Sequence, residues 1–313
     1  MTIPIIVIAG PTAVGKTDVS IQIAKEIQGE IINGDSLQFY KGLDIGTGKI
    51  QESEKEGVPH HLLDFLKPEQ SFDVSQFVVK ASAAIEDIRS RERYPIIVGG
   101  SGLYIEGLLY EMSFGHENSH NADIREQFNR WHQEIGNLAI WQHLNEKDPD
   151  AAAKIPYQNH RRVIRALEVI EVTGKKFSSQ QEQNRQKNRK SRYNGTTFIL
   201  NRPREILYNR INKRVELMIE CGLESEVYAL YQKYKGQDLQ SLKAIGYKEW
   251  FPYFEGSISK EMVISTIQQN SRRYAKRQLT WFRNRLEHTH WIDATKEPLV
   301  LTKMLDIMND SHD

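Results

Sequence analysis

The chain has 313 residues and a formal net charge of +1, and 39% of its residues are hydrophobic and 27% charged. This length allows a sizeable core with a second module. The composition excludes collagen-like and wholly disordered proteins. The lone Cys221 excludes a disulfide framework and a cysteine-rich zinc site. No apolar run approaches the roughly 20 residues of a membrane span, and no basic leader precedes the opening apolar run, so we expect a cytoplasmic protein that does not enter membranes.

Short apolar strands alternate with helices over the first part of the chain. Residues 3–9 and 94–98 are β-branched runs that predict buried strands, residues 31–32 predict another, and residues 17–27 and 74–88 have the spacing of helices. A Gly-rich or polar turn follows each strand. This order predicts right-handed βαβ crossovers, a parallel sheet and a functional site at the carboxyl ends of the strands.

The later part of the chain first becomes helical and then returns to the α/β type. The predicted elements are helices over 123–144 and 160–172, an exposed polar tract over 178–194, a returning strand over 196–200, and long helices over 204–230 and 260–285. We therefore predict an α/β fold whose parallel-sheet core is interrupted by a helical insertion domain. The predicted boundaries are 1–115 for the first part of the core, 116–195 for the insertion and 196–313 for the second part of the core.

Basic residues are concentrated in the later half of the chain. Residues 268–285 contain six bases and no acid, and residues 185–192 contain five bases and no acid. Such segregation favours a surface that faces a polyanion, and the alternative interpretation of each run is a solvated helix face.

Residues 10–17, GPTAVGKT, fit the phosphate-loop pattern G-x-x-x-x-G-K-[ST] without a mismatch, between a predicted strand and a predicted helix. In such a loop the glycines let backbone N–H groups point at phosphate oxygens, Lys16 adds a positive charge, and Thr17 offers a hydroxyl to Mg²⁺. The core is therefore predicted to contain a P-loop. The pattern leaves open whether the bound anion belongs to ATP or to another diphosphate.

The turns after the other strands help to decide between ATP and another diphosphate. The strand at 96–98 leads into Gly-Gly-Ser-Gly with no carboxylate, where a P-loop ATPase or GTPase usually has an acid that holds Mg²⁺. The acid that does follow a strand is Asp35, which a doubly wound topology brings beside the phosphate loop. We interpret Asp35 as a candidate general base, and an Asx turn or a helix cap is its alternative role.

Seven segments together resemble the bacterial tRNA dimethylallyltransferase family, the tRNA isopentenyl-diphosphate transferases that prenylate the adenosine next to the anticodon. The segments are GPTAVGKT at 10–17, NGDSLQFYKGLDIGTGK at 33–49, PHHLLDF at 59–65, IIVGGSGLY at 96–104, RRVIRALEV at 161–169, KAIGYKEW at 243–250 and AKRQLTWFRN at 275–284. They span nearly the whole chain. GDSLQ and AKRQLTWFR, in order with the phosphate loop, are highly specific.

The resemblance implies that the loop binds the diphosphate of dimethylallyl diphosphate with Mg²⁺, for which Thr17 is the protein ligand. It also implies that the exocyclic amine of a flipped-out adenine attacks the prenyl carbon, with Asp35 as base and with Ser101 and Lys16 as further catalytic residues. The residues implied to bind the diphosphate are Gly10, Thr12, Ala13, Val14, Gly15, Lys16, Thr17 and Arg214, with Arg210 as the alternative to Arg214.

The resemblance further implies that the protein, expected to be a monomer, binds the anticodon stem-loop of tRNA. The implied contacts are Asp35, Ser36, Leu37, Gln38 and Ser101 in the core turns, Arg125, Arg161, Arg162 and Arg165 in the insertion, and Lys243, Gly246, Tyr247, Lys248, Lys276, Arg277, Gln278, Trp281 and Arg283 in the later core. Arg277 and Arg283 are the best candidates for phosphate contacts. Trp281 either stacks on bases or fills the core.

Three other functions are alternatives to this one. A small-molecule or nucleotide kinase would use the loop for ATP and the insertion as a lid, but the missing acid after residue 98 and the basic later segment argue against it. A non-catalytic RNA-binding module would need neither Asp35 nor an intact phosphate loop. An enzyme that prenylates free adenine nucleotides would not need the extended basic regions.

Overall fold

The computed structural model describes residues 4–112, 122–183, 189 and 191–310. The chain forms two compact units, Met1–Tyr110 with Ser191–Asp313 as the larger and Glu111–Lys190 as the smaller. The divisions predicted at residues 115 and 195 therefore fall slightly later in the chain than these boundaries. Most of the basic run predicted over 185–192 lies outside the described residues.

Six parallel strands form the sheet of the larger unit. In chain order they are β1 (Ile5–Ala9), β2 (Gly29–Asn33), β3 (His60–His61), β4 (Tyr94–Gly99), β5 (Gly195–Asn201) and β6 (Thr289–Asp293). Their spatial order is β3-β2-β4-β1-β5-β6. Val7 of β1 is aligned with Ile97 of β4 on one side and with Thr197 of β5 on the other. The connections leaving β1 and β4 run in opposite directions, which is where doubly wound sheets bind ligands.

The helices, in chain order, are α1 (Lys16–Glu26), α2 (Val74–Ser90), α3 (Gly102–Leu109), α4 (Ala122–Lys147), α5 (Pro149–Lys154), α6 (His160–Thr173), α7 (Phe177–Gln183), α8 (Arg204–Glu220), α9 (Leu223–Lys233), α10 (Phe251–Phe254), α11 (Lys260–Arg285) and α12 (Glu297–Asp310). α4 is interrupted at Gly136, which has a φ of 78°. None of the helices in the described ranges combines the length and the apolarity that crossing a bilayer requires.

Each unit has its own apolar core. On one face of the sheet, Ile8 of β1 and Phe198 of β5 pack with apolar residues of α1, α8 and α12, while α2 packs against β2 and β4. Strands that are covered on both faces have continuous apolar sequences, which explains why β1 and β4 are recognisable in the chain. In the smaller unit, Leu144 of α4 and Val163 of α6 belong to a separate cluster.

The structure corrects two predicted elements. The single helix predicted over 204–230 is two helices, α8 and α9, because Gly222 between them adopts a left-handed conformation with a φ of 98°. The tract predicted to be exposed and polar over 178–194 begins inside the helix α7. Strands β3 and β6 and helices α3, α5, α7, α10 and α12 have no counterpart among the predicted elements.

Candidate functional site

The phosphate loop connects β1 to α1, as the pattern predicts, and its two glycines are needed for different reasons. A Cβ atom at Gly10 would lie 2.7 Å from the backbone oxygen of Leu200 in β5, so only glycine allows this close approach. Gly15 has a φ of 102°, in the left-handed region. Ala13 also has a positive φ, of 62°, which is uncommon for a residue with a side chain. The loop is thus a tight, locally strained turn.

Lys16 closes the loop upon itself. Its Nζ donates to the backbone oxygens of Gly10 at 3.0 Å and Pro11 at 2.9 Å. Burial lowers the pKa of Lys16, the nearby carboxylate of Asp35 opposes this shift and Arg214 adds to it, and the resulting pKa is about 8. Lys16 therefore loses its positive charge at a lower pH than an ordinary lysine. It lies where a phosphate would bind.

Several side chains hold the loop from outside. Arg202 donates to the oxygen of Val14 at 2.9 Å, and Arg210 donates to the oxygen of Ala13 at 3.0 Å. The N–H of Thr12 donates to the side chain of Gln278, so Thr12 has no free backbone donor for a phosphate. Among the described residues, the N–H groups of 13–17 donate to no other group. The loop therefore presents successive free amides at the start of α1, an arrangement that binds anions.

Asp35 follows β2, where its turn is fixed by short-range hydrogen bonds. Its N–H donates to Asn33 Oδ1 at 2.9 Å, and its Oδ1 accepts from the N–H of Leu37 at 3.1 Å. Its Oδ2 accepts no hydrogen bond from the described residues. The predicted Asx turn and the predicted base are thus both compatible with one side chain, since one oxygen shapes the turn and the other is available.

Ser101 follows β4 and is linked to the Asp35 turn. Its Oγ accepts from the N–H of Ser36 at 3.0 Å and donates to Ser36 Oγ at 3.2 Å. The side chain of Tyr274 on α11 lies near Ser101 and Gln278, and burial and the Asp35 carboxylate raise the pKa of Tyr274. Sequence reasoning missed Tyr274. Its signal was its position one residue before the AKRQLTWFR segment.

Arg214 of α8 belongs to the same charge cluster as Lys16 and Asp35. It interacts electrostatically with both Lys16 and Asp35, and burial lowers the pKa of Arg214 while Asp35 opposes the shift. Its Nη2 donates to the oxygen of Thr47 at 3.1 Å. Gly48 has a φ of 58°, and a Cβ atom there would lie 1.9 Å from that Nη2. This crowding fixes the guanidinium. Arg210, the alternative to Arg214, donates to the backbone oxygen of Ala13 in the loop.

Glu226 of α9 anchors the segment that holds Arg214. Its carboxylate accepts from the N–H groups of residues 44–46 at 2.7 to 3.1 Å and from the hydroxyl of Tyr247 at 2.7 Å. Tyr247 is 0% exposed, so its side chain has no free surface for the predicted tRNA contact. It supports this segment through its bond to Glu226. Gly246 is also buried, and its N–H donates to Glu249 at 2.9 Å. Sequence reasoning missed Glu226, because nothing in the chain links α9 to the turn after β2.

One face of α11 lines a cavity of about 590 Å³ and is strongly basic. The lining residues are Arg273, Lys276, Arg277, Thr280, Trp281, Asn284 and Arg285. Arg277 lies over the ring of Tyr274, with 5.7 Å between guanidinium carbon and ring centroid, so the basic face begins beside the Ser101 turn. Trp281 packs against Gly102, where a Cβ atom would lie 2.4 Å from its ring. This face contains three of the predicted tRNA contacts, Lys276, Arg277 and Trp281.

Two other predicted contacts on α11 point elsewhere. Gln278 is 4% exposed, and its amide is bonded to the protein on both sides, so it has no free surface for RNA. Arg283 is exposed and lies over the ring of Trp291 in β6, 5.2 Å from the ring centroid, and it is not among the residues that line the cavity.

The remaining predicted contacts are dispersed. Gln38 reaches the oxygens of Thr47 and Gly48, each at 3.4 Å. Lys243 is paired with Asp238, and Lys248 is exposed. In the smaller unit, Arg161 and Arg162 are exposed at the start of α6, whereas Arg125 and Arg165 both pair with the buried carboxylate of Glu168 at 2.8 to 3.0 Å.

Comparison with known proteins identifies the family of this chain. Residues 38–285 match the family model described as IPP transferase. The chain is 50% identical over 293 residues to the tRNA dimethylallyltransferase of Bacillus pumilus, covering 93% of this chain and 90% of the relative. It is 46% identical over 292 residues to the enzyme of the same name from Bacillus subtilis, covering 93% of this chain and 91% of the relative.

Solved structures agree with this match. The full-length tRNA isopentenylpyrophosphate transferase of Bacillus halodurans is 40% identical, covers 99% of this chain and 98% of its own, and superposes with a TM-score of 0.72. A eukaryotic dimethylallyltransferase acting on tRNA is 30% identical, covers 97% of this chain and 77% of its own, and gives a TM-score of 0.79. The predicted fold with a P-loop core is confirmed, and the chain belongs to the IPP transferase family.

Proposed function

We propose that this chain transfers the dimethylallyl group of dimethylallyl diphosphate to the exocyclic amine of the adenosine next to the anticodon of tRNA (tRNA position 37). One observation carries the proposal: an anion cradle after β1 and a free carboxylate oxygen after β2 come together at the carboxyl edge of one sheet. Relatives named tRNA dimethylallyltransferase support it and do not favour a kinase.

The donor site consists of the phosphate loop and Arg214. Free amides at the start of α1, the ammonium of Lys16 and the guanidinium of Arg214 supply positive charge where the diphosphate would bind. Charge increases on the diphosphate as it leaves, and fixed cations in a partly buried site stabilise that charge more strongly than water does. These groups therefore act on the leaving group.

The acceptor site consists of the Asp35 turn and its neighbours. In the reaction the amine nitrogen forms a bond to the first prenyl carbon while the carbon–oxygen bond breaks, and the electron pair of that bond leaves with the diphosphate. The nitrogen must also lose a proton, and the unbonded Oδ2 of Asp35 can accept it. Ser101 and Tyr274 supply hydroxyl groups beside this carboxylate.

A magnesium ion fits the donor set of the loop without a protein cage. Mg²⁺ usually keeps several waters and uses one or two protein oxygens together with substrate phosphates. Thr17 is exposed at the start of α1, and no cluster of three or more metal-ligating side chains occurs among the residues that the structure describes. Thr17 would hold the ion together with the diphosphate, and the bound ion would neutralise charge on the leaving group.

The tRNA would contact the basic face of α11. The cavity there is bordered by four cationic side chains and one tryptophan, and it begins beside Tyr274. A base removed from its loop needs a pocket with an aromatic wall, and the surrounding backbone needs cations for its phosphates. Arg161 and Arg162 of the smaller unit are exposed candidates for a second group of phosphate contacts.

The decisive experiment uses dimethylallyl diphosphate labelled in the prenyl group, Mg²⁺ and unmodified tRNA, without ATP. We expect label to enter the tRNA at the adenosine next to the anticodon and diphosphate to be released in equal amount. A parallel reaction with ATP and no prenyl donor tests the kinase alternative. ATP turnover without label transfer would refute the proposal.

The lowered pKa of Lys16 gives the reaction a specific pH dependence. Since the protonated ammonium binds the diphosphate, kcat/KM for the donor is expected to fall as pH rises through the Lys16 pKa of about 8. Initial rates at low donor concentration across this range measure it. In Lys16→Arg the guanidinium stays charged, so the fall should disappear even where the rate itself is lower. An unchanged alkaline limb in that variant would contradict the assignment.

The basic face of α11 gives a second expected result. Arg277→Ala should weaken tRNA binding and reduce the slope of log K against log salt by about one unit, because one phosphate contact is lost. Lys260→Ala is a comparison on the same helix and should leave the slope nearly unchanged, since Lys260 pairs with Glu224 at 2.6 Å and does not line the cavity. Filter binding at several salt concentrations measures both. Equal effects of the two substitutions would show that the cavity is not the contact surface.

A further inference from the structure

A buried amide connects the phosphate loop to the turn after β4. Gln278 is 4% exposed in the middle of α11. Its Oε1 accepts from the N–H of Thr12 at 3.0 Å, and its Nε2 donates to the oxygen of Gly100 at 2.9 Å. One side chain therefore satisfies a donor of the loop after β1 and an acceptor of the turn that carries Ser101.

The packing around this amide leaves it little freedom. A Cβ atom at Gly100 would lie 2.3 Å from Gln278 Nε2, so the absence of a side chain at residue 100 makes room for the amide. Tyr274, one helical turn earlier, lies near the same side chain. The next residues along the helix, such as Arg277 and Trp281, line the basic cavity. Gln278 is thus buried beside residues that line the basic cavity.

We propose that Gln278 is a positioning residue that fixes the phosphate loop in its diphosphate-binding conformation and sets its distance from the Ser101 turn. This inference rests on the proposed function, because it assumes that the loop binds a diphosphate. Gln278 touches neither substrate. It acts by fixing the N–H of Thr12, so that the amides that follow in the loop point outwards together.

The physical basis is the cost of an unsatisfied buried group. Without the amide, the N–H of Thr12, which is half-buried, and the oxygen of Gly100, which is buried, would each lose a partner. A rotation of the Thr12 peptide towards another partner would turn the neighbouring amides away from a common centre. Binding of a diphosphate should therefore suffer more than the overall fold.

Two substitutions disturb the hydrogen bonds of Gln278 to Thr12 and Gly100 in different ways. Gln278→Met keeps the approximate shape of the side chain and removes both hydrogen bonds, and Gly100→Ala displaces the amide without changing residue 278. Both are expected to weaken the binding of inorganic pyrophosphate with Mg²⁺ by about tenfold or more, as loss of a buried hydrogen-bond partner does. Titration calorimetry measures this affinity. Binding of tRNA should stay within about threefold, because the cavity side chains are untouched.

Val263→Ala is the control for a general weakening of α11, since Val263 is buried in the same helix and makes none of these bonds. It should lower the thermal stability and leave pyrophosphate binding unchanged. If Gln278→Met binds pyrophosphate like the parent protein, or if Val263→Ala weakens it equally, the inference is wrong. If the parent protein itself does not bind pyrophosphate, the proposed function fails instead, so the two failures are distinguishable.

Gln278→Glu separates hydrogen bonding from packing. A protonated carboxyl group can both donate and accept, as the amide does, whereas the ionised form only accepts and repels a diphosphate. A buried carboxyl keeps its proton to higher pH than usual, so lowering the pH should restore binding relative to the parent protein at the same pH. At low pH, Gln278→Glu should bind more tightly than Gln278→Met. Equal affinities there would mean that the hydrogen bonds do not matter.

Discussion

Asp35→Asn is expected to lower kcat for prenyl transfer by about 10²- to 10⁴-fold, the usual effect of losing a general base. An asparagine keeps the oxygen that accepts from the N–H of Leu37, so the turn after β2 should persist. The substitution also removes a negative charge beside Lys16 and Arg214, so the diphosphate should bind as tightly as before or more tightly. Steady-state kinetics together with pyrophosphate titration measure both effects.

The control for this substitution is Asp87→Asn. Asp87 is an exposed residue of α2 that pairs with Arg91 at 2.7 Å, and surface pairs of this kind contribute little. The kcat of the Asp87→Asn variant should stay close to that of the parent protein. A loss of pyrophosphate binding in Asp35→Asn equal to its loss of kcat would indicate a damaged site and would refute the role of Asp35 as a base.

Lys16→Met is expected to lower kcat/KM for the donor by about 10²- to 10³-fold, the range found when one fixed donor to a developing anion is removed. The methionine retains most of the length of the side chain but neither the charge nor the hydrogen bonds to the oxygens of Gly10 and Pro11. Binding of tRNA should change little, because Lys16 does not line the basic cavity. Single-turnover rates at low and saturating donor concentration separate loss of affinity from loss of chemistry.

Lys25→Met provides the matched comparison on the same helix. Lys25 lies in the last turn of α1, its side chain is 48% exposed, and it pairs with Glu56 at the surface. Its substitution should leave kcat/KM within about twofold. If Lys16→Met retains full activity, the phosphate loop does not hold the leaving group.

The fold is predictable from the sequence where the local signal is strong. The helix predicted over 260–285 coincides with α11, because Ser259 caps its first turn by accepting from the N–H of Met262 at 3.3 Å and a basic amphipathic pattern follows. Strand β3 has two residues and therefore no periodicity to detect. Strand β6 is half-exposed and contains Thr, His and Asp, so it lacks the apolar run that marks β1.

The site is predictable only to the extent that neighbouring strand ends assemble it. Lys16, Asp35 and Ser101 each follow a strand of one parallel sheet, so their sequence positions predict that they lie near each other. Tyr274 and Glu226 come from distant helices. Their roles depend on which face of α11 or α9 is buried, and that is decided by packing between elements that a local pattern does not contain.

The position of β1 has a consequence for how the protein is made. β1 needs β5 as a partner on one side, and β5 follows helices α4 to α7 in the chain. During synthesis the apolar strand Ile5–Ala9 therefore keeps an open edge until Asn201 has left the ribosome, while the helices of the smaller unit can already pack together. Open apolar edges promote aggregation, so a nascent chain stalled before β5 is expected to depend on chaperones that bind at the ribosomal exit.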